Sequence, residues 1–174
     1  MQLQDKYRIA LLSAYAIALH GFESLLPTPI PWLRLGLANI ITLVALFLYG
    51  LRVAMMVTLI RVTLASLFAG TFLGPGFLLS MGGGITSTLA MGYVLYLSPR
   101  IFSPVGLSVI GALFHNIAQL LLAYVIIIQR LGAVLLIGPF IILLGVLTGT
   151  VNGIIAGFII RNLKKDGLKE QNTS

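Results

Sequence analysis

His115, Asn116 and Gln119 stand in the run G-A-L-F-H-N-I-A-Q, Gly111 to Gln119, inside a stretch otherwise apolar enough to be a membrane span. An unsatisfied polar group there costs several kcal/mol, so three within two turns demand partners. On a helix, Gly111, His115 and Gln119 recur every four residues and share a face, with Asn116 beside it. Such a stripe suits one wall of a binding cavity or hydrogen-bond glue between helices, the latter worth only about 0.6 kcal/mol on average.

Other embedded polar residues extend the set of candidate substrate contacts. Arg61 lies nine residues beyond Arg52, which at 1.5 Å per residue puts it about 14 Å from the membrane edge and near the bilayer centre. It is either a buried structural charge, met by helix-end carbonyls or by Asn39, or a ligand contact. Glu23 and Arg34 flank the first proline-rich loop, where they can touch a ligand or simply pair with each other at the interface. Gly83 and Gly84, in the run Gly82–Gly84 that opens the fourth segment, lower helix propensity. What three glycines offer in return is close backbone approach, to a neighbouring helix or to a ligand.

The acids argue against catalysis. Only Asp5, Glu23, Asp166 and Glu170 are present, and no two of them form a pair for acid and base chemistry from opposite sides of a membrane. Cysteine is absent, which excludes disulfides and thiolate metal sites. Two histidines on separate segments do not make a metal centre. There is no G-x-x-x-x-G-K-[ST] phosphate loop and no aspartate-rich magnesium site of the kind prenyl synthesis needs. The chain reads as a non-enzyme that needs no cofactor or metal.

The elements that must position these residues follow from composition. Of 174 residues, 59% are hydrophobic and 9% charged, the balance of an integral membrane protein. Six segments are long enough to cross, approximately 8–26, 33–50, 53–72, 77–97, 105–128 and 139–161. The breaks fall at Pro27, Pro29 and Pro31, at Gly50, at Gly74-Pro75-Gly76, at Ser98-Pro99-Arg100 and at Gln129-Arg130. Residues 129–138 read as an interfacial loop, with Pro139 at a first helical position. The first segment carries His20 and Glu23 and lacks a small-residue cleavage site, so it reads as a span and not as a signal peptide. The expected fold is an all-α bundle of six transmembrane helices, residues 1–161, followed by a basic tail, 162–174.

Orientation follows from the basic residues. With both termini cytoplasmic, eight basic residues (Lys6, Arg8, Arg52, Arg100, Arg161, Lys164, Lys165, Lys169) face inward, and only Arg34 and Arg130 face outward. The net charge of +7 is thereby explained by the bilayer and not by nucleic acid. Two helices carry small-residue stripes: Gly145, Gly149, Gly153 and Gly157 on the sixth, read as packing within the bundle, and Ala10, Ala14 and Ala18 on the first, read as packing or as the interface with a partner subunit. Asn152, among those glycines, is read as packing.

Several motifs in one order resemble a known family: R-L-G-L-A-N-I (34–40), R-V-T-L-A-S-L-F-A-G-T-F (61–72), S-x-G-G-G (80–84), G-A-L-F-H-N-I-A-Q (111–119) and the glycine-rich last helix. The chain is similar to membrane proteins filed as heptaprenyl diphosphate synthase component I. These are grouped with the Gx transporters, the substrate-binding S components of energy-coupling-factor (ECF) importers. The resemblance implies six helices with both ends cytoplasmic and a ligand toward the extracellular side. Leu26–Pro31 would be the lid, and Gly82–Gly84, His115, Asn116 and Gln119 the walls. It also implies docking of Ala10, Ala14 and Ala18 onto a transmembrane T subunit driven by two ATPases, in a prokaryotic cell membrane. The arginines suggest a small anionic micronutrient or precursor as cargo. Two other readings stay open: a membrane scaffold for heptaprenyl diphosphate or quinone-precursor synthesis, and autonomous transport by a small oligomer.

Overall fold

The computed structural model describes residues 3–24, 36–98 and 101–172. Among these residues the chain is all helical, with six α-helices: α1 (Leu3–Ser24), α2 (Ala38–Tyr49), α3 (Leu51–Phe68), α4 (Pro75–Leu97), α5 (Pro104–Ala123) and α6 (Leu131–Asn172). Four stretches, Leu51–Phe68, Pro75–Leu97, Pro104–Ile128 and Leu131–Leu163, are long and apolar enough to cross a membrane. Their outward surfaces carry large exposed apolar side chains such as Leu136, Leu143, Leu147 and Phe158, as a helix facing lipid requires.

The helix boundaries follow local chemistry. Pro75 and Pro104 stand at the first turns of α4 and α5, where a missing N–H costs nothing, and the Ser103 side chain caps α5 by accepting from the Gly106 N–H at 3.2 Å. Gly50, at φ 84°, closes α2 and opens α3 in one residue. Gly36, at φ 73°, keeps the chain non-helical, so α2 starts at Ala38 and not near residue 33. Its 12 residues rise about 18 Å, well short of a membrane's width. α5 ends in a single π turn, Tyr124–Ile128, closed by Gln129 in the left-handed region at φ 49°. α6 then begins at Leu131, so residues 131–138, expected from sequence to be an interfacial loop, are helical and Pro139 stands inside the helix rather than at its start. A proline's own φ is helical, and its local cost is one hydrogen bond and a kink.

α6 lies along α5 by means of its glycines. A side chain at Gly149 would come within 2.9 Å of the Ala112 Cβ and 3.2 Å of the Ser108 carbonyl, and one at Gly153 within 2.5 Å of the Val105 Cα. A side chain at Gly157 would come within 3.5 Å of the Pro104 Cβ, so this stripe is bundle packing. Asn152 Nδ2 donates to the Gly36 carbonyl at 3.2 Å, tying α6 to the entry of α2. The core beneath is aliphatic, built from Ile40, Leu43, Val44, Val57, Met91 and Leu107 among others.

Because Gly153 meets backbone, Gly153→Ala is expected to lower stability by about 1–3 kcal/mol. Gly132→Ala, with nothing within 4 Å of the new Cβ, should not lower it and can raise it slightly through helix propensity. Thermal melting of the two variants in detergent checks this; equal melting points would show that α5 and α6 are not held at glycine distance.

Candidate binding site at the α3–α4–α5 centre

The three consecutive glycines do not open α4 but sit one third of the way along it, each turned to a different neighbour. Gly82 is covered by Leu122 of α5. A side chain at Gly83 would come within 2.8 Å of His115 Cε1, 2.9 Å of His115 Nδ1 and 3.0 Å of Gln119 Cγ. At Gly84 it would meet Thr58 Cγ2 at 2.9 Å and Arg61 Nη2 at 3.9 Å. Two adjacent backbone positions thus bring the imidazole from α5 and the guanidinium from α3 onto one glycine floor. Arg61 is buried, with 7% of its surface exposed, and the His115 ring lies against the Gly83 backbone.

A hydroxyl ladder holds this floor in register. Thr88 donates to the Gly84 carbonyl at 2.8 Å, which leaves its oxygen to accept from Thr58 at 3.1 Å. Thr58 in turn accepts from Thr42 at 3.2 Å. All three threonines are fully buried. The ladder locks α2, α3 and α4 at one level, and antiparallel register then sets Asn39, one turn before Thr42, level with Arg61, one turn after Thr58. Asn39 is half-buried in the first turn of α2.

The stripe on α5 faces α4 along its length. A side chain at Gly111 would come within 2.6 Å of Met91 Sδ and 3.0 Å of Ser87 Oγ, and that buried hydroxyl lacks a hydrogen-bond partner among the described residues. Gln119 additionally lines a small void of about 20 Å³ with Leu120, Ala123, Ile128, Val134, Ile137 and Ile141, room for one water. Asn116 is turned the other way. Its amide donates to the Ile141 carbonyl at 3.1 Å and lies against Gly145, so it serves the α5–α6 contact on the opposite side from Gly83.

Of the residues singled out from sequence, Arg61, Gly83, Gly84, His115 and Gln119 come together, with Asn39 level with them. Arg34 and the loop Leu26–Pro31 lie outside the described residues, as does the side chain of Glu23. Ala10, Ala14 and Ala18 are exposed on α1 beside Tyr7, Leu11 and Tyr15. Sequence reasoning missed Thr42 and Thr58. Their only signal was a hydroxyl within an apolar helix, which does not say which helix answers it.

Fold and site together define a multi-helix membrane protein with a buried, basic and imidazole-bearing centre. The family model for heptaprenyl diphosphate synthase component I matches residues 12–159, and the chain belongs to that family. No curated protein matches the sequence. Among solved structures, the S component of a bacterial ECF transporter has the same fold, with a TM-score of 0.75 over 95% of this chain and 98% of the other, at 24% identity.

The contact of Gly83 with His115 has a thermodynamic signature. Gly83→Ala and His115→Ala are expected to be non-additive by about 1 kcal/mol, since removing the ring makes room for the new methyl. Thermal unfolding of the two single variants and the double variant measures this, and strict additivity would separate the two residues.

Proposed function

We propose that this chain is the substrate-binding S component of an ECF-type importer, taking a small anionic molecule from the outside and delivering it inward. The observation that carries the reading is the meeting of Arg61 and His115 on Gly83–Gly84 within an S-component fold. A buried guanidinium in a membrane protein is expensive to keep and functional by default. Guanidinium and imidazole N–H groups recognise a carboxylate or similar anion through charge-assisted hydrogen bonds. His115 orients the ligand in this reading and transfers no proton. Gln119 and Asn39 complete the walls, and Arg34, Glu23 and the Leu26–Pro31 segment the outer lid.

Energy comes from partner chains. The exposed face of α1, with Ala10, Ala14 and Ala18 in line, lets a transmembrane T subunit approach at backbone distance, and two ATPases drive that subunit. The basic residue distribution supports a cytoplasmic position for both termini. The family's description favours a second reading, in which the protein is a membrane scaffold for prenyl diphosphate synthesis.

Native mass spectrometry of the purified protein is expected to show a retained small anion. Arg61→Gln or His115→Ala should weaken its binding by about 30-fold or more without loss of fold. Ala14→Leu should keep the ligand but lose co-purification of the T subunit and ATPases. Recovery of a prenyl synthase alone, with no bound anion, would support the scaffold instead.

A further inference from the structure

The surface at the α2–α3 corner holds a lateral groove of about 760 Å³, separate from the buried centre. Its lining runs from Leu51 and Tyr96 at one end, past Tyr93 and Ala90, to Thr86 and Phe114 at the other. The groove exists because α3 begins tight against α4: a side chain at Gly92 would come within 2.6 Å of Leu51 Cδ1. Ala90 is too small to fill the space above. From Tyr96 to Thr86 is ten residues of α4, about 15 Å of rise, which is the hydrocarbon depth of one leaflet. The groove therefore runs from the membrane interface to the midplane and no further.

Its two ends differ in chemistry. At the interface, Tyr96 and Tyr93 are 83% and 64% exposed, the amphipathic rings found at headgroup level. The same corner carries Arg52, exposed in the first turn of α3, and the Arg8 guanidinium, stacked 4.9 Å over the ring of Tyr49. No acidic residue occurs between Glu23 and Asp166, so α2 to α5 bring no acid to Arg52. At the midplane the groove ends on Phe114, 46% exposed and purely apolar.

We infer that the groove holds the acyl tail of an anionic phospholipid, with its headgroup at Arg52. A bound tail fills a depression that the protein leaves open to the bilayer, and it fixes the angle between the α2–α3 corner and α4. The test is native mass spectrometry of the full chain from micelles containing phosphatidylglycerol and phosphatidylcholine with identical acyl chains. Wild-type protein is expected to retain phosphatidylglycerol about fivefold over phosphatidylcholine, the effect of one cation near an anionic headgroup. Ala90→Phe, which fills the groove, should lose most of the adduct. Arg52→Gln should keep adducts but lose the headgroup preference. Val151→Phe, a similar enlargement on the exposed face of α6, should change nothing. Equal retention of the two lipids by wild type, or an Ala90→Phe adduct level matching Val151→Phe, would overturn the inference. So would photocrosslinking from position 93 that captures a protein partner and excludes lipid.

Discussion

Close approach at Gly82–Gly84 is the constraint on which the centre of this molecule depends. Between membrane helices there is no hydrophobic drive to assemble, and contact must come from packing and polar pairing. Three positions without side chains let α5 reach α4 through Leu122, His115 and Gln119, and let α3 reach it through Thr58 and Arg61. The threonine ladder adds the register. With larger residues at 83 and 84, the imidazole and the guanidinium would be held apart by the thickness of a side chain. The same absence of side chains that joins the helices sets the His115 ring and the Arg61 guanidinium against the α4 backbone.

Much of the architecture was readable in advance because a bilayer imposes length. Runs of about 20 apolar residues must be helices, and proline and glycine at Pro75, Pro104 and Gly50 punctuate them with defined capping roles. The family resemblance, carried by motifs from Arg34 to the last helix, agrees with the family match over 12–159. What was not readable was decided by tertiary geometry. Pro139 carries a helix-start signal, but Gln129 had already turned the chain and α6 was under way eight residues earlier. Gly36 delayed α2 by adopting positive φ, which sequence permits but does not require.

The polar stripe on α5 shows the same limit at single-residue scale. Neighbouring positions on a helix differ by about 100°, enough to send His115 to α4 and Asn116 to α6. Periodicity grouped Gly111, His115 and Gln119 correctly. It could not say that Asn116, one residue along, would face the Ile141 carbonyl of α6. Likewise the glycine and alanine stripes look alike in sequence. Only the fold distinguishes the buried one against α5 from the exposed one on α1.

An experimental structure of the protein as purified, without added ligand, tests the central claim most directly. The account predicts density for a small anionic molecule between the Arg61 guanidinium, the Gly83–Gly84 backbone and the His115 ring. A centre in which those groups close on one another, with no space beyond a water molecule, would contradict it and leave the stripe as helix glue.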